Sequence, residues 1–265
     1  MRYSPVTGGN TRPVPERAPL IAVAHGSRDP RSAAAVEALF ARVRRLRPGL
    51  DVRVAYLDHV SPDPGTAVAT LAAQGAGEVV VLPALLTAAY HSKVDLPRVL
   101  TRVRTAYPWL KVRYADTLGP DPLLLAAVER RLAEAGATAG PDTALVLASA
   151  GSSDAGANAV VTEMARRLAE RGDWGAVRPA FASASAPTPG EAVELLRTQG
   201  AGRVAVATYL LAPGFFADRV AQQAEAAGAV VVSDALGDCP ELAEIVVARY
   251  DAALRPVPAS GGVTR

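Results

Sequence analysis

The 265-residue chain carries one pattern twice. Laid on itself at an offset of 125 residues, it pairs Gly26-Ser27 with Gly151-Ser152, Asp29 with Asp154, Ala55-Tyr56 with Ala180-Phe181, and Pro64-Gly65 with Pro189-Gly190. Gln74-Gly75-Ala76-Gly77 falls on Gln199-Gly200-Ala201-Gly202, so the register holds for about seventy positions without a gap. After a seven-residue shortening, Asp116, Leu118 and Gly119 match Asp234, Leu236 and Gly237. Alanine-rich helices resemble one another by chance, but glycines, prolines and aspartates do not fall into one register that way. The repeat is a duplication, and both halves must share one fold.

Each copy alternates short apolar runs with helical periodicity. In the first, strands are expected at Leu20–Ala24, Val52–Leu57, Glu78–Leu82 and Val112–Ala115. Helices are expected at Pro30–Leu46, Pro64–Gln74, Val94–Thr105 and Pro122–Ala135. Four βα units in a row predict an α/β protein of two tandem, doubly wound parallel-sheet lobes of flavodoxin-like type. The expected division is a disordered tail at 1–18, an N-terminal lobe at 19–136, a C-terminal lobe at 142–255 and a second tail at 256–265.

Composition removes several function classes. Twenty-eight basic residues against 26 acidic ones leave a net charge of +2, and aromatics make up 5% of the chain, so no nucleic acid is expected as a partner. The basic cluster Arg42, Arg44, Arg45 and Arg47 reads as a solvated helix face. A single cysteine, Cys239, allows neither an internal disulfide nor a cysteine-ligated cluster, and it reads as a residue of a capping region. The apolar run Val79–Tyr90 is broken by Pro83 and too short for a membrane span. No secretory pattern opens the chain, and the expectation is a cytoplasmic protein.

Where the copies differ chemically is more informative than where they agree. His25 ends the first strand and faces Ala150 in the repeat; Asp58 ends the second strand and faces Ser183; His91, beyond the third strand, faces Phe216. Ligands in parallel sheets bind at the carboxyl ends of strands, and the first and third strands are commonly neighbours. Two imidazoles and a carboxylate brought there suit a divalent first-row metal with open coordination positions. His59 is expected to point away from Asp58, because neighbours on a strand alternate faces. Phe215 and Phe216 read either as core aromatics or as a wall of the site.

The segments Ala24-His25-Gly26-Ser27-Arg28, Tyr56-Leu57-Asp58 and Leu85-Leu86-Thr87-Ala88-Ala89-Tyr90-His91-Ser92-Lys93-Val94-Asp95-Leu96-Pro97 resemble the sirohydrochlorin chelatases of the class II chelatase family. The resemblance spans about residues 19 to 254. It implies a two-lobed protein that inserts a metal into sirohydrochlorin without ATP, with Fe²⁺ or Co²⁺ as substrate and no permanently bound cofactor. His25 and His91 are the implied catalytic residues, and His25, Asp58 and His91 the metal ligands. Gly26, Ser27, Arg28, Thr87, Ala88, Ala89, Tyr90 and Lys93 are the candidates for binding the tetrapyrrole, with Arg98 and Arg31 as further rim cations for its carboxylates. Backbone N–H groups of Gly26 and Ser27 at a helix start offer a place for one such carboxylate. Duplication supplies two lobes in one chain, so a monomer is expected. A metal or tetrapyrrole carrier without turnover fits the same lobe asymmetry. A histidine phosphohydrolase fits less well, because Ala24 stands where an arginine partner would be wanted.

Overall fold

A computed structural model describes residues 17–87 and 96–256. The first half runs β1 (Leu20–Ala24), α1 (Pro30–Leu46), β2 (Val52–Tyr56), α2 (Pro64–Ala73), β3 (Glu78–Pro83), α3 (Leu96–Ala106), β4 (Lys111–Tyr114) and α4 (Pro122–Glu134). The second runs β5 (Thr143–Ser149), α5 (Ala155–Arg171), β6 (Ala176–Phe181), α6 (Pro189–Thr198), β7 (Arg203–Thr208), α7 (Phe215–Ala226), β8 (Val231–Val232) and α8 (Pro240–Leu254). Three helix starts in the first half share one chemistry. Asp29, Asp63 and Asp121 each accept a backbone N–H of the first turn while proline takes the position behind them, where no donor is needed. Thr188 and Glu191 close a reciprocal capping box before Pro189 on α6.

Two four-stranded parallel sheets result, ordered β2-β1-β3-β4 and β6-β5-β7-β8. The duplication is visible bond by bond. Asp58 N–H donates to His25 O at 2.9 Å, as Ser183 N–H does to Ala150 O at 2.9 Å. Leu118 N–H to Leu85 O and Leu236 N–H to Leu210 O repeat across the shortened stretch.

Strand parity divides each sheet into two faces. Ile21 and Val23 pack under α2 and α3, and Val146 and Ala148 under α6 and α7. Leu20 and Ala22, with Leu145 and Leu147, belong to one core that runs through both halves. That core exists because the last helix of each half crosses over. Helix α4 packs on β7 and α5, whereas α8 packs on β3, β4 and α1. Polar contacts fix the exchange: Arg131 donates to Leu236 O at 2.9 Å, Arg249 to Thr117 O at 2.9 Å, and Tyr250 Oη to Ala18 O at 2.7 Å. Arg130 pairs with Glu241 at 2.7 Å where α4 meets α8.

The arginine cluster of α1 therefore departs from the solvated face its composition predicts. Arg42 donates to Asp238 O at 2.8 Å, Arg47 pairs with Asp251, and Arg44 holds Val52 O at 2.8 Å; Arg45 alone of the four is exposed. Two of these contacts reach the other half, which a helical wheel of α1 alone cannot reveal. Among the described residues, no helix is long and apolar enough to cross a membrane.

Candidate active site

The carboxyl ends of both sheets open into one cleft of about 840 Å³, lined from both halves. That volume lies in the range of small-molecule and cofactor sites. The β1–α1 turn supplies His25, Gly26, Ser27 and Arg28; the end of β3 supplies Leu85, Leu86 and Thr87. Across from them stand Ala150 to Ser153 and the segment from Leu210 to Ala217.

His25 is exposed at the tip of β1, its Nδ1 3.2 Å from Gly26 O. Gly26 has φ +91°, and a Cβ there would lie 1.8 Å from Asp58 O. Glycine is thus required twice over, by the left-handed backbone and by the β2 loop pressed against it. Gly151 repeats this at φ +82°, 1.9 Å from Ser183 O. The scaffold is conserved between the halves, and the imidazole is what the second half lacks.

Ser27 Oγ accepts Asp29 N–H at 3.1 Å, and Asp29 Oδ1 accepts Arg31 N–H at 2.9 Å. Two donors of this helix start, those of Asp29 and Arg31, are therefore taken within the turn; they are not the Gly26 and Ser27 N–H groups expected to meet a carboxylate. Arg31 is not among the residues that line the cleft and is committed elsewhere: it pairs with Asp29 at 2.6 Å and with Asp218 of α7 at 2.6 Å. Beside that guanidinium the Asp29 carboxyl sits below the usual aspartate range. Arg31 is a strut between the halves rather than a rim cation. Arg28 lines the cleft; Arg98 is exposed on α3 and does not.

Asp58 is joined to His25 through the backbone, yet its carboxylate turns to His59. Oδ1 accepts His59 N–H at 2.9 Å, and Oδ2 lies 3.4 Å from His59 Nε2. His59 in turn lines the cleft. This reverses the expectation from strand parity, because β2 ends at Tyr56 and His59 has φ 61°, a left-handed turn to which alternation does not apply. Among the described residues no group of three or more His, Cys, Asp or Glu is placed to hold a metal. Ala88, Ala89, Tyr90, His91 and Lys93 lie outside the described residues.

Phe215 and Phe216 are not core aromatics. They are 68% and 39% exposed and line the cleft. The whole segment Leu210–Ala217 escaped sequence reasoning apart from this pair, although the signal was present: at an offset of 125 it lies on Leu85–Ser92. Cys239 caps α8 without a side-chain hydrogen bond and is buried, and burial pushes its thiol up to about 11. A thiol so held is not a nucleophile at neutral pH.

The family model described as CbiX matches residues 19–135 and 144–253. A sirohydrochlorin cobaltochelatase of Priestia megaterium is 29% identical over 204 residues, which cover 76% of this chain and 66% of that protein, just under two thirds. A sirohydrochlorin ferrochelatase of the same organism is 27% identical over 209 residues, 78% of this chain and 77% of that protein. Among solved structures, SirB from Bacillus subtilis with Fe³⁺ superposes with a TM-score of 0.80 at 24% identity, covering 89% of this chain and 95% of that one. At that identity the likeness speaks for the fold, two α/β lobes included.

Proposed function

The chain belongs to the CbiX family, and from that premise we propose that it is a sirohydrochlorin chelatase, inserting Fe²⁺ into sirohydrochlorin to give siroheme without ATP. Co²⁺ is the second candidate metal, because relatives of similar identity are named for each. The observation that carries the reading is His25 at the tip of β1, lining a cleft between the lobes that the second half lines with Ala150 at the same register. On this reading the protein is a monomeric cytoplasmic enzyme whose metal is a substrate and not a resident cofactor.

Insertion exchanges one divalent cation for two pyrrole protons. A neutral imidazole serves either half of that exchange, as a ligand to the arriving metal or as acceptor of a proton from a ring nitrogen. We assign these roles to His25 and His91; the repeat partner of His91, Phe216, lines the cleft, which supports the pairing. Asp58, held by His59, orients an imidazole or offsets the metal's charge. Gly26, Ser27 and Thr87 let the macrocycle approach the strand ends, and Arg28 meets a carboxylate. Ala88, Ala89, Tyr90 and Lys93 complete the proposed binding set.

The test is the absorbance change of sirohydrochlorin with Fe²⁺ or Co²⁺. Wild-type protein is expected to accelerate it, and the His25→Ala/His91→Ala double variant to lose at least about 100-fold in rate. A carrier would leave the uncatalysed rate unchanged, and near-wild-type rates in the double variant would remove the assigned roles.

A further inference from the structure

The two walls of the cleft differ in chemistry. Both halves bring leucines to it, Leu85 and Leu86 from the first and their repeat partners Leu210 and Leu211 from the second, and both bring serines; only the first adds His25, His59 and Arg28, and only the second adds a pair of phenyl rings, Phe215 and Phe216. In the repeat register Phe215 and Phe216 replace Tyr90 and His91, so hydrocarbon stands where the first half carries polar rings.

Exposed phenyl rings are costly in water unless something covers them, and a contiguous apolar patch marks a binding surface. These two sit edge to face, with centroids 5.3 Å apart and an interplanar angle of 72°. Their position is fixed from both sides. Gly214, immediately before them, is so close to the other half that a Cβ there would lie 3.7 Å from Ser27 Oγ and 3.7 Å from Asp29 Cβ. Asp218, one turn further along α7, takes the Arg31 strut at 2.6 Å. The phenyl pair therefore stands at a set distance from the turn that carries His25.

We infer that Phe215 and Phe216 are the apolar seat of the substrate macrocycle, resting on the chelatase reading above. The occupant is flat and conjugated at its centre and anionic at its edge. Its ring surface packs on the phenyl pair, and its carboxylates point outward to water and Arg28. The second half, which lacks the histidines, thus has a task of its own: it holds the ring while the first half exchanges metal for protons. Loss of the pair weakens ring binding and leaves metal binding alone.

The experiment uses the full-length protein and metal-free sirohydrochlorin as probe, with affinity read by fluorescence and turnover by absorbance. Phe215→Ala/Phe216→Ala is expected to raise Kd and KM for sirohydrochlorin about 30-fold, with KM for Fe²⁺ within about twofold of wild type. Phe215→Leu/Phe216→Leu, which keeps apolar bulk and guards against a folding artefact, recovers most of the affinity. His25→Ala gives the opposite pattern, with turnover lost and sirohydrochlorin Kd kept within about threefold. An unchanged Kd in the double-alanine variant overturns the seat while leaving a chelatase that still turns over. Wild-type protein that binds the ring through this pair yet accelerates no insertion overturns the chelatase reading on which the inference rests.

Discussion

Single atoms decide the geometry around His25. A methyl group on Gly26 would meet the Asp58 carbonyl oxygen at 1.8 Å, in a backbone conformation that L side chains avoid. Gly26→Ala should cost about 2–4 kcal/mol of stability, and Gly151→Ala, facing Ser183 O at 1.9 Å, a similar amount. Urea denaturation of both variants measures this, and the prediction is near-equal losses with turnover impaired further only in Gly26→Ala. The place of His25 at the cleft was legible in the sequence because a duplicated scaffold makes unmatched residues conspicuous, whereas Asp58, singled out in the same way, is not among the lining residues and turns its carboxylate to His59. The place of His59 was not legible. Its side chain reaches the cleft by a left-handed turn at φ 61°, and the same turn at Ala184, φ 56°, shows that the backbone and not the side chain sets it.

The elements themselves were readable from periodicity and punctuation. Asp29-Pro30, Asp63-Pro64 and Asp121-Pro122 announce helices, and the buried runs Leu20–Ala24 and Glu78–Pro83 announce central strands. What periodicity cannot reveal is which sheet a helix covers. The apolar stripe of α8, with Leu242, Ile245 and Val246 fully buried, would look the same packed on its own half; it packs instead on β3 and β4. Ile245→Ala should therefore destabilise the first sheet as well as its own helix, by about 2–5 kcal/mol in total. Hydrogen exchange would show the effect as lost protection at β1 and β3. Protection lost in the second sheet alone would contradict the crossed packing.

Exchange of α4 and α8 gives the molecule one shared core, and the struts Arg31–Asp218, Arg42–Asp238 and Arg47–Asp251 tie the halves together around it. A cleft between halves so joined has walls that keep their spacing, which is what a site needs when one wall holds the substrate and the other performs the exchange. Much of that cleft was hidden in the sequence. Its first-half wall carries histidines and an arginine that stand out, whereas its second-half wall is built largely from alanine, serine, leucine, glycine and phenylalanine, types that give no signal by themselves. The proposed reaction depends on His25 acting in metal exchange within this shared cleft. The direct measurement is a single-turnover rate for His25→Ala, with sirohydrochlorin bound beforehand and Fe²⁺ mixed in. A loss of at least about 100-fold with sirohydrochlorin affinity held within about threefold is the predicted result; a rate within about threefold of wild type would contradict the account.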